Sequence, residues 1–63
     1  SDEPARRTVG ERGVAVTRLA PMGSVRFGDD IVEVRAFEGM VDPGTEVEVF
    51  MIEDNRVLVK PLL

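Results

Sequence analysis

The sequence predicts an all-β fold, and three observations carry that reading. Six glycines and four prolines cut the 63 residues into short runs. Those runs are rich in valine and alternate apolar with polar residues, a period of two that places one set of side chains on a buried face and the other in water. No segment sustains a helical period.

Residues 1–8 are polar, carry Pro4 and the Arg6-Arg7 pair, and show no apolar period, so they are expected to form a flexible linker ahead of a barrel domain over 9–63. A first strand is expected over Val14-Ala15-Val16-Thr17-Arg18-Leu19, stopped by the punctuation Pro21-Met22-Gly23. Ser24-Val25-Arg26-Phe27 alternates cleanly and reads as a short second strand. Gly28-Asp29-Asp30 supplies turn chemistry, and Ile31 to Ala36 resumes the alternation, so strands two and three are expected to form a hairpin.

Phe37-Glu38-Gly39-Met40-Val41 cannot hold a regular element for long, and Asp42-Pro43-Gly44 is a strong turn, leaving no room for a helix between strands three and four. Thr45 to Val49 alternates again and runs into Phe50-Met51-Ile52 as the longest strand. Glu53-Asp54-Asn55 marks a reversal, and Arg56 to Lys60 forms a fifth strand ended by Pro61. An open five-stranded meander of this size leaves exposed edges, which closure removes. The expected architecture is therefore a small five-stranded OB-fold barrel, closed or partly open, with an SH3-like barrel as the nearest rival. Its expected core is Val14, Val16, Val25, Phe27, Val32, Val34, Val47, Val49, Val57 and Val59.

Composition narrows the function. The absence of cysteine removes thiolate nucleophiles and the usual structural zinc sites, and the absence of histidine removes the commonest general base near neutral pH. The hydroxyls of Ser24, Thr17 and Thr45 therefore have no such base to activate them, and no catalytic residue is assigned. Lys60 precedes Pro61 within a strand, whereas a lipoyl or biotinyl carrier presents its lysine at an exposed hairpin tip. The acid groups Asp29-Asp30-Glu33 and Glu38-Asp42 match no ion-binding spacing and read as turn formers, so neither metal nor cofactor is expected. A net charge of −4, only three aromatics, and arginines interleaved with acids all oppose a nucleic-acid partner. No apolar stretch approaches the roughly 20 residues that span a bilayer, so the chain is expected to be soluble, with any membrane anchor in segments outside it.

One stretch breaks the pattern. Phe50-Met51-Ile52 is apolar at every position where a barrel strand alternates. The commoner explanation is a bulge or barrel corner covered on both faces by the 37–41 loop or the chain end. The other is an exposed apolar patch that docks a partner or a second copy, with Met40, Phe50, Ile52 and Leu63 as its contact residues.

The marks also have a distinctive order. Gly10, Gly13, Ala15, Thr17 and Leu19 are followed by Pro21, Gly23 and Val25, then by Gly28, Gly39-Met40-Val41, Gly44-Thr45, Val47 and Val49, and finally by Asn55-Arg56-Val57 and Pro61-Leu62. This series, covering nearly all of 10–63, is similar to the soluble C-terminal domain of NfeD proteins. The resemblance implies an OB-fold domain carried behind transmembrane helices and, in longer members, behind a ClpP-like serine protease domain. It further implies stomatin- or flotillin-like scaffold partners and a role in regulating membrane protease activity. Nothing here matches a protease nucleophile or base, so that activity is not carried over. The expectation is a non-enzymatic interaction domain of a membrane-associated protein. The alternative is an OB-fold regulatory module that binds an oligonucleotide or small ligand in the barrel groove.

Overall fold

The computed structural model of the protein describes residues 7–62, which form β1 (Arg12–Ala15), β2 (Met22–Phe27), β3 (Asp30–Ala36), β4 (Glu46–Glu53) and β5 (Arg56–Pro61). The alternating runs dictate the two hairpins. Phe27 pairs with Asp30 around Gly28-Asp29, where Gly28 takes a φ of 63° at the first central position of a two-residue turn. Glu53 pairs with Arg56 around Asp54 and Asn55, with φ of 51° and 65°. Two successive left-handed residues are the geometry of a type I′ turn, and Asp and Asn tolerate it better than other non-glycine residues.

The strands close in the order β1-β2-β3-β5-β4, with β4 returning to β1. Every neighbouring pair is antiparallel except β3 and β5, which run parallel through Arg35↔Leu58 and Ala36↔Val59. This is an OB-like closed barrel rather than an SH3-like one, and the β3–β4 connection contains no helix. Pro61 ends β5 opposite Val47, and Leu62 N–H donates to the Glu46 carbonyl at 2.9 Å.

The first strand differs from expectation in both length and phase. It ends at Ala15 rather than Leu19, because Val16 to Arg18 bend away; the Val16 and Thr17 amides converge on the Ser24 carbonyl, and Ser24 N–H donates back to Thr17 Oγ1 at 3.0 Å. Its inward residues are Gly13 and Ala15, not Val14 and Val16: Val14 is half-buried and Val16 is 45% exposed. The physical reason is close approach. A Cβ on Gly13 would lie 2.6 Å from the Arg26 carbonyl oxygen and 2.7 Å from Val25 Cγ1, so only the phase carrying small residues can face the interior.

The rest of the expected core is buried, and Ala15, Leu19, Ala36 and Val41 complete it. Leu19 reaches the interior through an isolated bridge with Val41, each amide donating to the other's carbonyl at 2.9 and 3.0 Å. Residues 1–6 of the expected linker and Leu63 lie outside the described residues. Arg7 bonds Glu11 at 3.0 Å and Asp30 at 3.2 Å, and its guanidinium lies 5.2 Å from the centroid of the Phe27 ring.

Candidate functional site

Alternation along β4 fails at Phe50 because the strand carries a bulge there. Val49 lies opposite Val59 and Met51 opposite Leu58, so Phe50 is an extra residue with no partner of its own on β5. A bulge of this kind turns two consecutive side chains toward one face. Val49 and Val59 remain fully inside the barrel, while Phe50 and Met51 come to the surface at 41% and 36% exposure. The bulge explains the apolar run, and among the described residues it is covered only in part, with Ile52 beyond it 40% exposed.

Three neighbouring strands build the surface around Phe50. Phe37 follows the last residue of β3 and is tied to β5 by its amide, which donates to the Val59 carbonyl at 2.8 Å. Its ring lies 4.6 Å from the Phe50 ring, centroid to centroid, at an interplanar angle of 53°. Lys60 on β5 lies between them in strand order and holds its ammonium 4.2 Å from the Phe50 centroid and 5.3 Å from that of Phe37. A groove of about 510 Å³ runs beside this trio, lined by Val9, Glu48, Val49, Phe50, Lys60 and Pro61.

Of the residues singled out from sequence, Phe50 sits at the centre of this surface. Ile52 lies two residues further along β4, toward the hairpin tip. Met40 is 68% exposed in the connection that also carries Phe37, and Leu63 falls outside the described residues. Phe37, Lys60 and Val9 were not anticipated as site residues. Their signal is absent locally: Phe37 and Lys60 meet Phe50 because β5 inserts between β3 and β4, and Val9 reaches the groove because the chain ahead of β1 is bonded to Val49 on the other side of β4.

The acid groups suggested by sequence have other engagements. Asp30 binds Arg7, and Asp42 lies 3.8 Å from Arg18. Among the described residues, no three acidic side chains are grouped so as to hold a metal ion. No helix among them is long and apolar enough to cross a membrane.

The closed strand order and the aromatic pair on the outer wall place the chain in the class of small OB-like β-barrel domains. The chain is a member of the NfeD family: residues 5–61 match the NfeD-like C-terminal, partner-binding domain. Among solved structures it is similar to the C-terminal domain of stomatin operon partner protein 1510-C from Pyrococcus horikoshii. The TM-score is 0.79 at 23% identity, over 87% of this chain and 88% of that one, a likeness of fold. Among curated proteins no relative matches.

Proposed function

We propose that this domain works by non-enzymatic protein contact, docking a stomatin- or flotillin-type membrane scaffold through the surface centred on Phe50, and that it thereby serves the regulation of a membrane protease. The observation that carries the site is the half-exposed Phe37–Phe50 pair capped by Lys60, an aromatic cluster of the kind that anchors protein interfaces. Membership of a partner-binding domain family supports the mode of action, and the likeness to the C-terminal domain of a stomatin operon partner protein supports the class of partner. Met40 and Ile52 extend the contact, and Leu63, a candidate from the sequence, lies outside the described residues. Attachment to the membrane is through segments outside this chain. Nucleic acid is not the ligand, since the chain carries a net charge of −4 and the Arg7 and Arg18 cations already face acids.

The test is titration of the isotope-labelled domain with a purified stomatin-type protein. The amide signals of Phe37, Phe50, Met51 and Lys60 are expected to move. Shifts confined to the β2–β3 hairpin, or no association at all, would overturn the proposal.

A further inference from the structure

The barrel is closed by bonds to β4 that stop partway along that strand. β1 pairs with Glu46 to Glu48, and the last links are Val49 N–H to the Glu11 carbonyl at 2.8 Å and Gly10 N–H to the Val49 carbonyl at 2.9 Å. From Phe50 to Glu53, β4 is bonded only on its β5 side among the described residues. In a two-residue hairpin the closing pair, here Glu53 and Arg56, exchanges hydrogen bonds, and the next pair points its backbone groups outward. That next pair is Ile52 and Val57. Val57 lies on the side where β5 meets β3, whereas the N–H and C=O of Ile52 face an edge with no strand beyond it among the described residues.

An unpaired edge is a template for a further strand. We infer that the β4 edge from Phe50 to Glu53 accepts a short extended segment of the partner by strand addition, and that this segment is apolar with basic residues. The inference rests on the docking reading above and gives it a binding mode. Phe50, Met51 and Ile52 supply apolar neighbours for alternate side chains of the added strand. The charge on the free edge is acidic: Glu53 ends it and Asp54 follows at the tip, whereas the nearest bases, Arg56 opposite Glu53 and Lys60 on the Phe50 ring, belong to β5 on the paired side. A second copy fits poorly. Antiparallel pairing of two such edges about Ile52 sets the Glu53 and Asp54 carboxylates of each copy against Met51 and Phe50 of the other, with net charge −4 on both.

The experiment uses the labelled 63-residue chain and, as probe, an acetylated peptide of about eight residues alternating valine with lysine, a length matched to a typical strand. The expected result is chemical-shift change at Phe50 to Asp54 and slowing of Ile52 amide exchange by about tenfold or more at saturation. A valine–glutamate peptide is expected to produce neither. Ile52→Pro removes the outward donor and is expected to weaken binding by about tenfold or more. Glu53→Lys, which leaves the backbone intact, is expected to weaken it several-fold even where the proline variant fails to fold. Equal binding of the acidic peptide, shifts away from β4, or an unchanged Ile52 exchange rate would overturn the inference. Concentration-dependent Ile52 protection without peptide would overturn it in favour of self-pairing. If the stomatin-type partner binds while Ile52 stays unprotected, the edge inference fails and the docking reading stands. If the peptide adds to the edge but that partner does not bind, the docking reading fails and the edge stands.

Discussion

The Lys60 ammonium lies 4.2 Å from the centroid of the Phe50 ring, on a surface where that ring keeps 41% of its exposure. A cation on an aromatic face fixes the ring while leaving its edge and far side open. Phe50→Ala is therefore expected to cost about 1–2 kcal/mol, the sum of a ring pair, a cation–π contact and partial burial, rather than the roughly 3–5 kcal/mol of a fully buried phenylalanine. Urea unfolding measures this, and a loss of 3 kcal/mol or more would show that the ring is part of the core. The same substitution is expected to abolish partner association.

Lys60→Met keeps the aliphatic stem over the rings and removes the charge. Its expected effect on stability is under about 1 kcal/mol, with a larger effect on association than on folding. A variant that unfolds would place Lys60 in the structural framework instead of the docking surface.

Gly13→Ala is expected to destabilise by about 2–3 kcal/mol or more, because the added methyl meets backbone oxygen at 2.6 Å and two core side chains within 2.8 Å. Thermal unfolding of the variant checks this. A neutral result would mean that β1 and β2 separate more freely than their packing implies.

The segment that bends away after β1 gives a paired test. Leu19→Ala, at a position with no exposure, is expected to cost about 2–5 kcal/mol, while Val16→Ala, 45% exposed, is expected to stay within about 0.5 kcal/mol of the parent. Comparable losses at both positions would contradict the burial described for this segment.

Asn55→Val places a β-branched residue at a φ of 65° and is expected to cost about 1–2 kcal/mol, with Asn55→Gly neutral or slightly stabilising. Equal stability of the two would argue against the type I′ turn. Because this turn sets the register that leaves Ile52 facing outward, the valine variant is also expected to blur the exchange pattern of the β4 edge.

The hairpins were legible because their information is local. Alternation in Ser24 to Phe27 and Ile31 to Ala36, with glycine between, names both the strands and the face that is buried. Val14 to Leu19 shows where that logic stops. Its valines have the right period, but the phase is chosen by how closely β1 approaches β2, and that contact joins residues about a dozen positions apart. The apolar run at Phe50 was visible as an anomaly, and a bulge was one of its two readings. Whether anything covers the bulge depends on the path of the 37–41 loop, which the run does not encode.

By itself the sequence determined an all-β barrel of five strands, its turns, most of its valine core, and a composition unsuited to histidine- or cysteine-based chemistry. Each of these follows from backbone preference and from apolar periodicity, which act over a few residues. Only the tertiary structure decided that β5 enters between β3 and β4, that Phe37, Lys60 and Phe50 therefore meet, and that closure onto β4 ends at Val49. Those outcomes depend on which distant strands pair, and pairing is settled by the collective fit of the closed barrel rather than by any segment within it.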